Sequence, residues 1–131
     1  MNVAEHLARA ARNRDTDPAI ILAKDDSRLS FFELDWHTSA MARGMKNVNV
    51  LPGDRVLIMV RPGPDLIRLV WACFKRGALP VLIDPGMGLW NFIRCVERTR
   101  PTVLAGIPIA HLVSFLFPWA FTSVKLRIYA D

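Results

Sequence analysis

Five consecutive apolar residues, Val56, Leu57, Ile58, Met59 and Val60, stand between a Leu51-Pro52-Gly53-Asp54 turn and a Pro62-Gly63-Pro64 break. A strand with one wetted face alternates apolar and polar side chains. A strand without alternation is covered on both faces, the usual condition of strands inside a parallel sheet flanked by helices. The turn ahead of it uses proline to fix φ and glycine to accept a positive φ. The rest of the chain repeats the theme. Residues 65–76 read as a mostly buried helix stopped by Gly77, and residues 79–83 as a second apolar strand ended by Asp84-Pro85-Gly86. A helix over 89–98, a strand over 102–105, a helix over 110–117 and a strand over 124–129 follow. Strand and helix in regular alternation predict an α/β fold with a doubly wound, largely parallel sheet. No helix follows the last strand before Asp131, so the expected sheet is incomplete.

The N-terminal stretch is patterned differently. Asn2 and Glu5 have the spacing of a capping box, and Val3, Leu7, Ala10 and Ala11 recur on one face of the helix they would open. Asp17-Pro18 ends that helix. Extended residues 19–23, a Lys24-Asp25-Asp26-Ser27 turn and strand-like residues 28–31 predict a β-hairpin. Ser30 and Glu33 repeat the capping signature and open a second helix with Leu34, Met41 and Met45 on its apolar side.

Composition narrows the function classes. With 52% hydrophobic and 22% charged residues in 131, the chain is too apolar to be disordered and long enough for one domain. Its 17 Lys and Arg against 12 Asp and Glu give +5, but they are spread from Arg9 to Arg127 without a basic run or interleaved aromatics. No nucleic-acid partner is expected. Residues 1–14 are basic throughout and contain no apolar core of a secretory signal, and Cys73 and Cys95 are too few for a disulfide framework. The expected compartment is the reducing cytoplasm. Residues 101–124 contain no Asp, Glu, Lys or Arg, enough by count to cross a bilayer, yet Pro101, Pro108 and Pro118 interrupt them. That run defines the alternative reading: a small membrane-associated or interaction protein, touching a membrane peripherally through Phe115, Phe117, Trp119 and Phe121.

Chemistry-bearing patterns are sparse. His6, His37 and His111 fall on separate predicted elements, and neither cysteine has a CxxC partner, so no metal site is expected. Neither GxSxG nor HExxH occurs. Gly86-Met87-Gly88 lies between a strand and a helix, where backbone amides can face an anion. However, Asn91 stands where the dinucleotide fingerprint needs glycine, and no Gly-Lys-Ser or Gly-Lys-Thr exists for a P-loop. The turn reads as structural. No catalytic, cofactor-binding or metal-ligating residue is assigned.

Three ordered motifs carry a resemblance. Leu29-Ser30-Phe31-Phe32-Glu33-Leu34 resembles the early Leu-Thr/Ser-Tyr-x-Glu-Leu motif of the adenylate-forming, or AMP-binding, enzymes. Val50-Leu51-Pro52-Gly53-Asp54-Arg55-Val56 is similar to their Val-x-Pro-Gly-Asp-Arg-Val strand entry. The segment from Phe74 through Lys75-Arg76-Gly77-Ala78 to Asp84-Pro85 resembles their Leu-Lys-Ala-Gly-Ala-x-x-Val-Pro-x-Asp-Pro segment. Finer likeness lies in Met59-Val60-Arg61-Pro62-Gly63-Pro64-Asp65, Val81-Leu82-Ile83-Asp84-Pro85-Gly86-Met87-Gly88 and Gly106-Ile107-Pro108-Ile109-Ala110-His111-Leu112. These resemble the long-chain fatty acyl-CoA ligases and the olefin β-lactone synthetases among them.

The resemblance implies ligase chemistry: carboxylate plus ATP gives acyl-adenylate and pyrophosphate, and the acyl group passes to CoA or to the substrate's own hydroxyl. It implies ATP, Mg²⁺ and CoA for the complete enzyme, and a fatty acid or 3-hydroxy fatty acid as substrate. The family's phosphate loop ending in Pro-Lys, its adenine and ribose motifs and its catalytic Lys do not occur in these 131 residues. Residues 1–131 are therefore expected to be an N-terminal fragment of the large AMP-binding domain, without the C-terminal lid domain and not catalytic alone. A remainder supplied in trans is the partner this reading implies.

Overall fold

A computed structural model describes residues 2–130. Four parallel strands, β3 (Arg55–Met59), β4 (Leu79–Val81), β5 (Val103–Gly106) and β6 (Leu126–Tyr129), form the main sheet in the order β4-β3-β5-β6. Val56 lies beside Pro80 on one side and Val103 on the other, and Val103 lies beside Leu126. The helices are α1 (Ala4–Asn13), α2 (Phe31–Asn47), α3 (Pro64–Arg76), α4 (Leu89–Thr99) and α5 (Pro108–Leu116). A separate antiparallel hairpin pairs β1 (Pro18–Ile21) with β2 (Arg28–Ser30).

The non-alternating run has the expected cause. Val56 and Ile58, with Val103 and Ala105, pack toward Met45 of α2 and Leu69, Ala72 and Cys73 of α3. Leu57 and Leu104 pack the other way, against Phe92, Ile93 and Val96 of α4 and against Ala120 and Phe121 in a 3₁₀ turn, Pro118–Phe121. The period of two is intact, but both faces are covered. The result is the predicted doubly wound α/β architecture.

Local signals explain the ends of elements. Ser30 Oγ accepts from Glu33 N at 3.1 Å while Glu33 Oε2 accepts from Ser30 N at 2.8 Å, completing the capping box of α2. Gly77 ends α3 in the left-handed region, at φ +79°. Two expectations need correction. No capping box forms at α1: Asn2 Oδ1 accepts from the Ala4 amide at 3.0 Å, and the inward face is Ala4, Leu7 and Ala11. Val3, at 46% exposure, lies outside that face, and Ala10 is only half-buried. The strand over 79–83 stops at Val81 because β4 is an edge strand with Pro80, which has no N–H, and a 3₁₀ turn at Pro85–Met87 draws the chain away.

All four strand entries meet at Asp54. Its carbonyl accepts from Leu79 N at 2.8 Å where β4 begins. Its carboxylate, only 8% exposed, accepts from Leu51 N at 2.8 Å and from Thr102 Oγ1 at 3.0 Å, just before β5. Lys125 Nζ, just before β6, lies 3.1 Å from the same carboxylate. Burial works to raise this carboxyl's pKa, but the Leu51 amide, Lys125 and Thr102 together outweigh it and hold it below the usual range. Nearby, Lys75 Nζ locks α3 onto α2 by reaching the Asp35 carboxylate at 2.6 Å and Ser39 Oγ at 2.7 Å.

Replacing Asp54 by Asn removes the charge that three donors share. Asp54→Asn should lower the unfolding free energy at neutral pH by about 2 kcal/mol. A carboxyl with a depressed folded pKa stabilises fully above its unfolded pKa of about 3.9, and that contribution is lost as pH falls through the folded value. Denaturant titrations of both proteins should therefore converge as pH falls below the unfolded value of about 3.9. A constant difference across that range would contradict this role.

Candidate functional site

The strand order creates a switch point. The chain leaves β3 for α3 on one face of the sheet and leaves the adjacent β5 for α5 on the other. In open α/β sheets the carboxyl ends of such strands are splayed, and the crevice between them is the favoured ligand position. Here the crevice is about 590 Å³, lined by Val60–Asp65 on one side and Ile107–Ile109 on the other. An adjoining cavity of about 320 Å³ shares Val60, Arg61, Pro62, Ile107 and Ile109 and deepens into Ile58, Met59, Ile83, Phe92 and Ala110. Its wall is apolar, with the exposed Arg61 side chain at the rim. Asp65, on the far wall, is held by Arg68 Nη1 at 2.8 Å.

Close approach builds the base of the crevice. Ile107 N donates to Met59 O at 3.1 Å, tying the ends of β3 and β5. A Cβ at Gly106 would stand 2.8 Å from Ala110 Cβ and 3.1 Å from Met59 O, so only glycine lets α5 start this close to both strands. His111, 2% exposed, continues the stitching: its Nε2 lies 3.1 Å from the carbonyl oxygens of both Gly106 and Ile128. Donation to two carbonyls requires the Nε2–H form, and Nδ1 is left without a partner.

Of the sequence-singled residues only His111 lies at this crevice. His6 is on α1, His37 packs edge-on against Trp36 on α2, and His111 is on the buried side of α5. Among the described residues no three His, Cys, Asp or Glu side chains form a group that could hold a metal ion. Cys73 is buried, and burial pushes its thiol up to about 12, far from a reactive thiolate. At the Gly86–Gly88 turn the Gly86 amide donates to Asp84 Oδ1 at 2.8 Å, which puts a carboxylate where a phosphate would need a donor. Residues 101–124 divide into β5, α5 and a 3₁₀ turn, and no helix among the described residues is long and apolar enough to cross a membrane. No membrane span among the described residues supports the alternative reading of residues 101–124.

Residues 7–121 match the model of the AMP-binding enzyme family. The chain belongs to that family. Over 95% of its length it is 34% identical to an olefin beta-lactone synthetase of Stenotrophomonas maltophilia and 36% identical to one of Xanthomonas campestris. It spans about a quarter of the length of these curated relatives, 24% of each. A Mycobacterium tuberculosis fatty acyl CoA synthetase shares the fold at a TM-score of 0.85 and 17% identity, over 99% of this chain and 26% of that one. The motifs shared with AMP-binding enzymes are scaffold here. Ser30 and Glu33 cap α2, Asp54 gathers the strand entries, Lys75 locks two helices, and Gly77 turns the chain into β4.

The crevice was not visible in the sequence because it depends on β3 and β5 being neighbours, which the linear order does not state. Its one local signal is Gly106 at the end of a fully buried strand. Gly106→Ala should destabilise the protein by about 1–3 kcal/mol through forced separation of α5 from β3. Equilibrium unfolding checks this; a variant as stable as the parent would mean that the approach of Ala110 and Met59 is looser than described.

Proposed function

We propose that this chain is the N-terminal part of the large domain of a fatty-acid-adenylating enzyme, with a β-lactone as the product. The observation carrying this is the 34–36% identity to two olefin beta-lactone synthetases across 95% of the chain. In the complete enzyme a fatty carboxylate displaces pyrophosphate from ATP to give the acyl-adenylate. The 3-hydroxyl of the same molecule then attacks the acyl carbon, expelling AMP and closing the ring. Capture by the CoA thiol is the competing outcome.

ATP and Mg²⁺ are expected for the complete enzyme; at the turn before α4 the Gly86 amide is already taken by Asp84 Oδ1 at 2.8 Å. No step of the reaction is assigned to residues 1–131. Their contribution is the framework: a covered parallel sheet, strand entries fixed by Asp54, and the crevice at the switch point. The buried Cys73 and half-buried Cys95, both free thiols, accord with a cytoplasmic enzyme.

The test uses the complete enzyme: this chain together with the phosphate loop, nucleotide motifs and catalytic Lys of its family. Pyrophosphate exchange into ATP should require a fatty acid, and a 3-hydroxy fatty acid should yield a lactone without CoA, read by mass spectrometry. Absence of acid-dependent exchange would overturn the adenylation reading. A thioester formed only with CoA would overturn the lactone reading alone. Residues 1–131 by themselves should give no exchange above an empty-vector control, and exchange there would refute the framework role.

A further inference from the structure

We draw no further inference here: the strongest candidate, the apolar crevice between the carboxyl ends of β3 and β5 with Arg61 at its rim, belongs to the site already described, and nothing in a chain that spans 24% of its relatives' length shows what covers it.

Discussion

One carboxylate joins the parts of the sheet that are distant in sequence. Asp54 accepts from the loop before its own strand, from Thr102 ahead of β5 and from Lys125 ahead of β6, while its carbonyl takes the first amide of β4. Parallel strands are joined by crossovers rather than tight turns, so their registers are not fixed by local geometry. A charged acceptor shared at their entries does that work. It also explains why Pro52 and Gly53 precede it: the turn delivers the carboxylate to the lower rim of the sheet, and Gly53 N anchors the turn on Gly77 O at 2.8 Å. The burial that makes such an acceptor costly is offset by three donors converging on it.

The element order was almost fully legible from residues. Non-alternating apolar runs marked β3 and β5, Gly77 marked the end of α3, and Ser30 with Glu33 marked the start of α2. Failures came where a tertiary contact overrode a local signal. Asn2 and Glu5 have capping-box spacing, yet Asn2 is drawn away by a side-chain bond to Phe74 O at the end of α3. Residues 82–83 are apolar enough for a strand, but β4 ends at Val81 and the 3₁₀ turn at Pro85–Met87 draws the chain away from β3. The strand order itself, and hence the crevice between Val60 and Ile107, was not legible, because nothing local says that α4 carries the chain back across β3.

Family membership and the physical reading converge on the same division of labour. Motifs that the chain shares with AMP-binding enzymes have mechanical tasks within the sheet and its helices: Ser30 and Glu33 cap α2, and Asp54 ties the strand entries. The polar residues buried here, Thr38, Asp54, His111 and Ser114, all bond to nearby backbone or to neighbouring strands. Such groups specify one packing, whereas reactive ones would face the crevice. The outer face of α5 is apolar, with Ile109, Leu112, Phe115 and Leu116 exposed.

Amide hydrogen exchange on the 131-residue chain and on its Asp54→Ala variant tests most directly whether a single acceptor holds the sheet together. The parent should protect β3 and β5 most strongly, and the variant should lose protection in β3, β4, β5 and β6 by a common factor, as one cooperative unit. Loss confined to residues 51–55, with β5 and β6 unchanged, would contradict it.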